Sequence, residues 1–131
     1  MRATLAAIAD AASLGAGDKL TVQGVFDTIF VSGFPATHPR MVLVLRLQLD
    51  HRDSTREHQV SIRLEDEHGS GLFEQTARTS VGIVPPGECP SANLICELTN
   101  ISFAGPGRYR FLVRAGGGQV ALPLRIVRRE R

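Results

Sequence analysis

Arg108, Arg110, Arg114 and Arg125 stand in a stretch, residues 101–127, that contains no acidic residue. A guanidinium offers several N–H donors in a planar fork that matches a carboxylate or a phosphate. Gathered on one surface, these arginines form a docking site for an acidic protein surface, a phosphate or a nucleic-acid backbone. The alternative is a solvated face, its charges met by Glu57 and Glu65 from another strand. Nucleic acid is the least favoured partner, because one Tyr and no Trp leave no aromatic platform between the basic groups.

A second set, Asp27, Thr28, His38 and Arg40, surrounds a loop expected over Phe34–Arg40, which holds Pro35 and Pro39. With Ser32 it allows a Ser–His–Asp relay to be written, yet no Gly-x-Ser-x-Gly elbow presents the serine. His38 reads as a loop histidine and Asp27 as a turn carboxylate. No catalytic residue is assigned, and a non-enzymatic role is expected. His38, His51, His58 and His68 lack paired ligand spacing, and Cys89 and Cys96 do not supply it, so neither a metal nor a cofactor is expected. A Cys89–Cys96 disulfide is compatible with the spacing but requires an oxidising compartment. Gly116-Gly117-Gly118 joins two strands and precedes no helix, which excludes a phosphate-cradling loop.

The elements that must position these groups are strands. Period-two alternation recurs between Gly- and Pro-rich breaks, and helix signals are poor. Arg2–Asp10 reads as a first strand and Lys19–Val31 as one extended segment bent at Gly24 or Asp27. Met41–Leu49 is the clearest strand: Met41, Leu43, Leu45, Leu47 and Leu49 point one way. Val42 and Val44 make its opposite face apolar too, so something covers it: a second copy of the chain, a local loop or the N-terminal segment. His58, Val60, Ile62 and Leu64 mark the next strand, followed by Leu72–Val81, Asn93–Ile101, Arg108–Ala115 and Gln119–Val127. Seven or eight short strands predict an all-β chain, a single antiparallel two-sheet sandwich of immunoglobulin-like or jelly-roll type.

In the last hairpin the apolar faces select the register. A two-residue Gly116-Gly117 turn pairs Val113 with Val120, Phe111 with Leu122 and Tyr109 with Leu124. It sets Arg108 opposite Arg125 on the outer face, beside Arg110 and Arg114. A four-residue loop also satisfies the apolar pattern.

The chain has 131 residues and a net charge of +2, enough for one domain with a sizeable core. Its charge is segregated: residues 1–49 carry +1, 50–100 carry −5, 101–127 carry +4, and the basic tail 128–131 carries +2. No apolar run nears the roughly 20 residues of a membrane span. Asp10 cuts short the only signal-like stretch, so one domain over 1–127 and a cytoplasmic location are expected.

Gly24-Val25-Phe26-Asp27-Thr28-Ile29-Phe30, the run Phe34–Arg46, Pro106-Gly107-Arg108-Tyr109-Arg110-Phe111 and Leu122–Val127 together resemble a family of small stand-alone bacterial proteins classed as a domain of unknown function. The resemblance spans nearly the whole chain. It implies a bacterial source and one compact domain, and it carries no activity, cofactor or catalytic residue. The expected role is a protein-interaction or assembly module acting through a protein partner or self-association, with no small-molecule substrate. The alternative is a small-ligand or polyanion-binding domain that uses the arginine face.

Overall fold

Met41, Leu43, Leu45 and Leu47 alternate with Val42 and Val44 along the fourth strand, and all six are no more than 3% exposed. The arrangement that buries both faces is seen in a computed structural model describing residues 1–129. Nine strands form: β1 (Arg2–Leu14), β2 (Leu20–Val25), β3 (Thr28–Val31), β4 (Ala36–Gln48), β5 (Glu57–Glu65), β6 (Gly71–Ser80), β7 (Ser91–Phe103), β8 (Gly107–Ala115) and β9 (Gly118–Arg128). They build a four-stranded sheet, ordered β2-β1-β4-β7, and a five-stranded sheet, ordered β3-β9-β8-β5-β6. One core lies between them. Ile8, Met41, Leu43, Leu45, Leu98 and Phe103 meet Val60, Ile62, Leu64, Phe111, Leu124 and Ile126 across it. Among the described residues no α-helix forms, and no helix is long and apolar enough to cross a membrane.

The expectation of seven or eight strands is corrected to nine, because Lys19–Val31 is not one element. Gly24 sits at φ +68, where a Cβ would lie 2.3 Å from Asp10 Oδ2. Just beyond it the chain breaks at Phe26-Asp27 and crosses from one sheet to the other. Having arrived by a crossover and not a hairpin, β3 is free to pair with β9 in parallel, Thr28 beside Arg125 and Phe30 beside Val127. A purely antiparallel fold is thus corrected as well.

The expected Phe34–Arg40 loop is also shorter than the prolines imply. β4 begins at Ala36, and the Phe34–Pro35 bond is cis. Ala36, Thr37, His38 and Arg40 pair with Phe103, Ser102, Ile101 and Thr99 of β7. Pro39 is accommodated where the opposing Asn100 adopts φ +53. At this rung both strands change which alternate residues face inward. Phe103 and Ile101 lie inward on one side of it, Met41 and Leu98 on the other.

Outward of β4, Val42 and Val44 form a second cluster with Ala9, flanked by Ala12, Leu20, Val22 and Ile95. Beyond Ala9, β1 stops pairing with β4 and continues with β2 alone. The β1–β2 hairpin thus lies over the outer face, and the Asn93 side chain on β7 donates to the Asp18 carbonyl at its tip, 3.0 Å away. The cover comes from the N-terminal segment of the same chain. With 1% and 0% exposure, Val42 and Val44 present no surface to a second copy, so of the covers expected for them the self-association reading is corrected.

A 3-10 turn, His51–Asp53, holds the N-terminus. Asp53 is 6% exposed, and its two oxygens accept the Met1 ammonium at 2.9 and 2.8 Å and the Asp50 N–H at 2.8 Å. Burial alone would raise this carboxyl's pKa. The ammonium and the Asp50 N–H outweigh burial and hold it below the ordinary carboxylate value. The folded chain therefore takes up this proton at lower pH than the unfolded chain. The stabilisation is complete above the unfolded carboxylate range, near pH 4, and is lost as pH falls through the folded value. Replacing Asp53 with Asn strands the ammonium and is expected to cost about 3 kcal/mol in urea unfolding at pH 7. The same variant should show a flatter acid limb than the wild type.

Candidate functional site

The final hairpin adopts the two-residue turn. Ala115 pairs with Gly118, Val113 with Val120, Phe111 with Leu122 and Tyr109 with Leu124. Gly116 takes φ +60, and a Cβ there would press on the Met1 backbone at 3.1 Å. With that register set, Arg108, Arg110 and Arg114 leave the outer face of β8, and Arg125 stands directly opposite Arg108 on β9.

These arginines meet different fates. Arg110 pairs with Glu65, its Nη2 and Nε lying 2.5 and 2.6 Å from Oε1. Arg63 donates to the other carboxylate oxygen at 3.1 Å. Although it lies on the outer face, Glu65 is only 5% exposed. The Arg110 hydrogen bond is the main reason its carboxyl lies below the ordinary value; burial opposes this and Arg63 reinforces it. Arg114 donates to the Gln119 side chain at 3.1 Å. Among the described residues Arg108 and Arg125 have no side-chain partner. Glu57, the other expected counter-charge, is 3.5 Å from Arg78 instead.

Beside the opposed arginines runs an open cleft of about 410 Å³, lined by Asp27, Thr28, Arg108, Pro123 and Arg125 together with Tyr109 and Leu124. The parallel β3–β9 ladder brings Thr28 next to Arg125, and the Asp27 carbonyl accepts the Arg125 N–H at 2.7 Å. Asp27 turns its carboxylate to the Thr28 hydroxyl, 2.9 Å away. Two like charges opposed across a ladder repel unless an anion lies between them. This cleft can receive a carboxylate or phosphate oxygen, with Arg108 and Arg125 as charged donors.

The second expected set is divided by the fold. Asp27 and Thr28 join the arginines, whereas His38 and Arg40 lie on β4 and do not line the cleft. The His38 ring sits 5.9 Å from that of Phe26, and Arg40 pairs with Glu97. Among the described residues no hydrogen bond links His38 to Asp27 or Ser32. Nor do three or more His, Cys, Asp or Glu side chains converge in a way that could hold a metal. Cys89 and Cys96 are free thiols, and burial pushes the Cys96 thiol up.

Sequence reasoning found the arginine face and named Glu65 as a counter-charge to it, but not that this carboxylate is buried. The signal was present in the spacing of Arg63 and Glu65, two apart on one face, together with a register that sets Arg110 opposite Glu65. Replacing Arg110 with Ala is expected to move the Glu65 carboxyl titration upward, because its main hydrogen-bond partner is lost. Side-chain carboxyl chemical shifts followed against pH will show this.

No protein of curated function matches the chain. A family model does match, over residues 4–127 of the 131. The chain belongs to the family of unknown function DUF6941.

Proposed function

We propose that this protein is a non-catalytic interaction module that docks an acidic segment of a partner protein onto the Arg108–Arg125 pair. The observation that carries the reading is the contrast within one sheet face. Arg110 has an internal carboxylate and Arg114 an internal amide, while Arg108 and Arg125 face each other with neither. Two unmet guanidiniums beside an open cleft favour an anion from outside, and carboxylates suit their planar geometry.

The scaffold supports the same reading. We take the sandwich to be of the immunoglobulin type. β8 and β9 are flanked by β5 and β6 on one side and by a parallel β3 on the other. The Tyr109 hydroxyl donates to the Gly105 carbonyl at 2.7 Å, the tyrosine-corner arrangement of such domains. Sandwiches of this kind commonly serve as rigid platforms for recognition. Two free thiols fit a reducing compartment, in line with a bacterial cytoplasmic protein.

Titration with a poly-glutamate peptide and with a duplex DNA oligonucleotide at low salt tests the proposal. Replacing Arg108 and Arg125 together with Ser is expected to weaken peptide binding at least tenfold, roughly the loss of two charge-assisted contacts. Arg114→Ser should leave it within about twofold, since that side chain is already engaged with Gln119. Asp27→Asn should strengthen it, by removing the one negative charge that lines the cleft. Peptide binding unchanged by the double replacement would overturn the proposal. Tighter binding of DNA than of peptide would replace it with a polyanion-binding role.

A further inference from the structure

The opposite edge of the five-stranded sheet is formed by β6, which pairs with β5 on one side only. A strand edge presents a row of backbone N–H and C=O groups whose natural complement is another strand, and folded proteins usually blunt it. β3 has only four residues and β2 is kinked at Gly24. β7 pairs evenly with β4 from Ser91 to Thr99, but its one charge, Glu97, is already paired with Arg40. β6 is neither short nor kinked beyond its first residues. Its ladder shifts register between Leu64 and Glu65 and then runs without interruption from Phe73 to Ser80, with no proline and no positive φ.

Outward from this strand stand Glu74, Thr76 and Arg78. Glu74 and Arg78 are 63% and 69% exposed at their side chains, and they keep only long contacts within the chain, Arg63 at 3.6 Å and Glu57 at 3.5 Å. Their order is self-complementary. Antiparallel pairing of β6 with β6 of a second copy about Thr76 sets Glu74 opposite Arg78, twice by symmetry, and Thr76 opposite Thr76. The inward residues then pair Gln75 with Ala77 and Phe73 with Thr79. Sliding the strands by two residues breaks both charge pairs. Sliding them by four sets Glu74 opposite Glu74 or Arg78 opposite Arg78, and a slide by one or three residues pairs residues from opposite faces. Charge thus selects a single register.

We infer that the protein forms a two-fold dimer through antiparallel β6–β6 pairing, which joins two five-stranded sheets into one. The occupant of the edge is a second copy because the charge pattern of β6 is its own complement. The two Arg108–Arg125 clefts lie toward the far edges of that joined sheet, so the dimer presents both of them to partners.

Sedimentation velocity of the full chain, from micromolar to about 1 mM at low salt, is the test. The wild type is expected to shift from 14.2 kDa to twice that mass as concentration rises. Replacing Glu74 with Arg, or Arg78 with Glu, should each weaken association at least tenfold. An equimolar mixture of the two variants should form a heterodimer, since one copy then presents two cations and the other two anions. The double replacement, Glu74→Arg with Arg78→Glu, should restore self-association to within about threefold of the wild type. Heterodimer formation also shows that both variants are folded. A wild type that stays monomeric across the range overturns the inference, as does a dimer indifferent to either single reversal or a mixture that does not associate. Peptide binding at Arg108 and Arg125 should be unchanged in all the β6 variants, so the docking reading and the dimer can fail separately.

Discussion

Both faces of β4 are apolar over Val42–Leu45, and the need to bury both shapes the rest of the molecule. The inner face meets the five-stranded sheet. The outer face is met by the β1–β2 hairpin, which must leave the ladder with β4 and fold across it. With that hairpin over one sheet, the outer face of the other is left polar and open. The arginines, Glu65 and the cleft beside Thr28 all sit there. The open, polar face on β8 and β9 is thus the counterpart of a covered surface on β4.

Much of this was legible in the residues. The alternation of Tyr109, Phe111 and Val113 against Val120, Leu122 and Leu124 admits few registers, and one of the two readings it left open is the one adopted. Strand content was equally visible, because apolar alternation between turn signals has few other interpretations. What was not legible depends on partners distant in sequence. Pro39 argues locally for a loop, and only the left-handed Asn100 opposite it lets β4 continue back to Ala36. Nothing near Asp53 in sequence marks it as buried, and only the Met1 ammonium, 52 residues away, gives it its partner. Val42 and Val44 require a cover, but nothing local says whether it comes from the same chain. The candidate site shows the same division. The opposed pair of arginines followed from hairpin register, whereas the approach of Thr28 followed from a crossover between sheets that period-two patterns do not encode.

Charge segregation along the chain also means something different once folded. The acidic middle and the basic end lie on neighbouring strands, so much of the opposition is settled internally, as between Arg110 and Glu65. Arginines at short range from a carboxylate are scaffold. On the outer face of β8 and β9, Arg108 and Arg125 are left with neither a carboxylate nor an amide partner. Net charge along the sequence therefore overstates the unpaired basic surface of this sheet face.

The parallel pairing of β3 with β9 bears on how the chain reaches this structure. Thr28 and Arg125 are partners far apart in sequence, across about three quarters of the described chain. Contacts of such long sequence separation carry a high loop-closure cost and slow the search for the native topology. On the ribosome, β3 is synthesised long before β9, so Ile29 and the apolar face of β8 must wait for their neighbour. During that interval the nascent chain exposes a sheet edge on the side that later carries the cleft. The cleft is thus assembled only after β9 has been synthesised, and a chain arrested before β9 would lack it altogether.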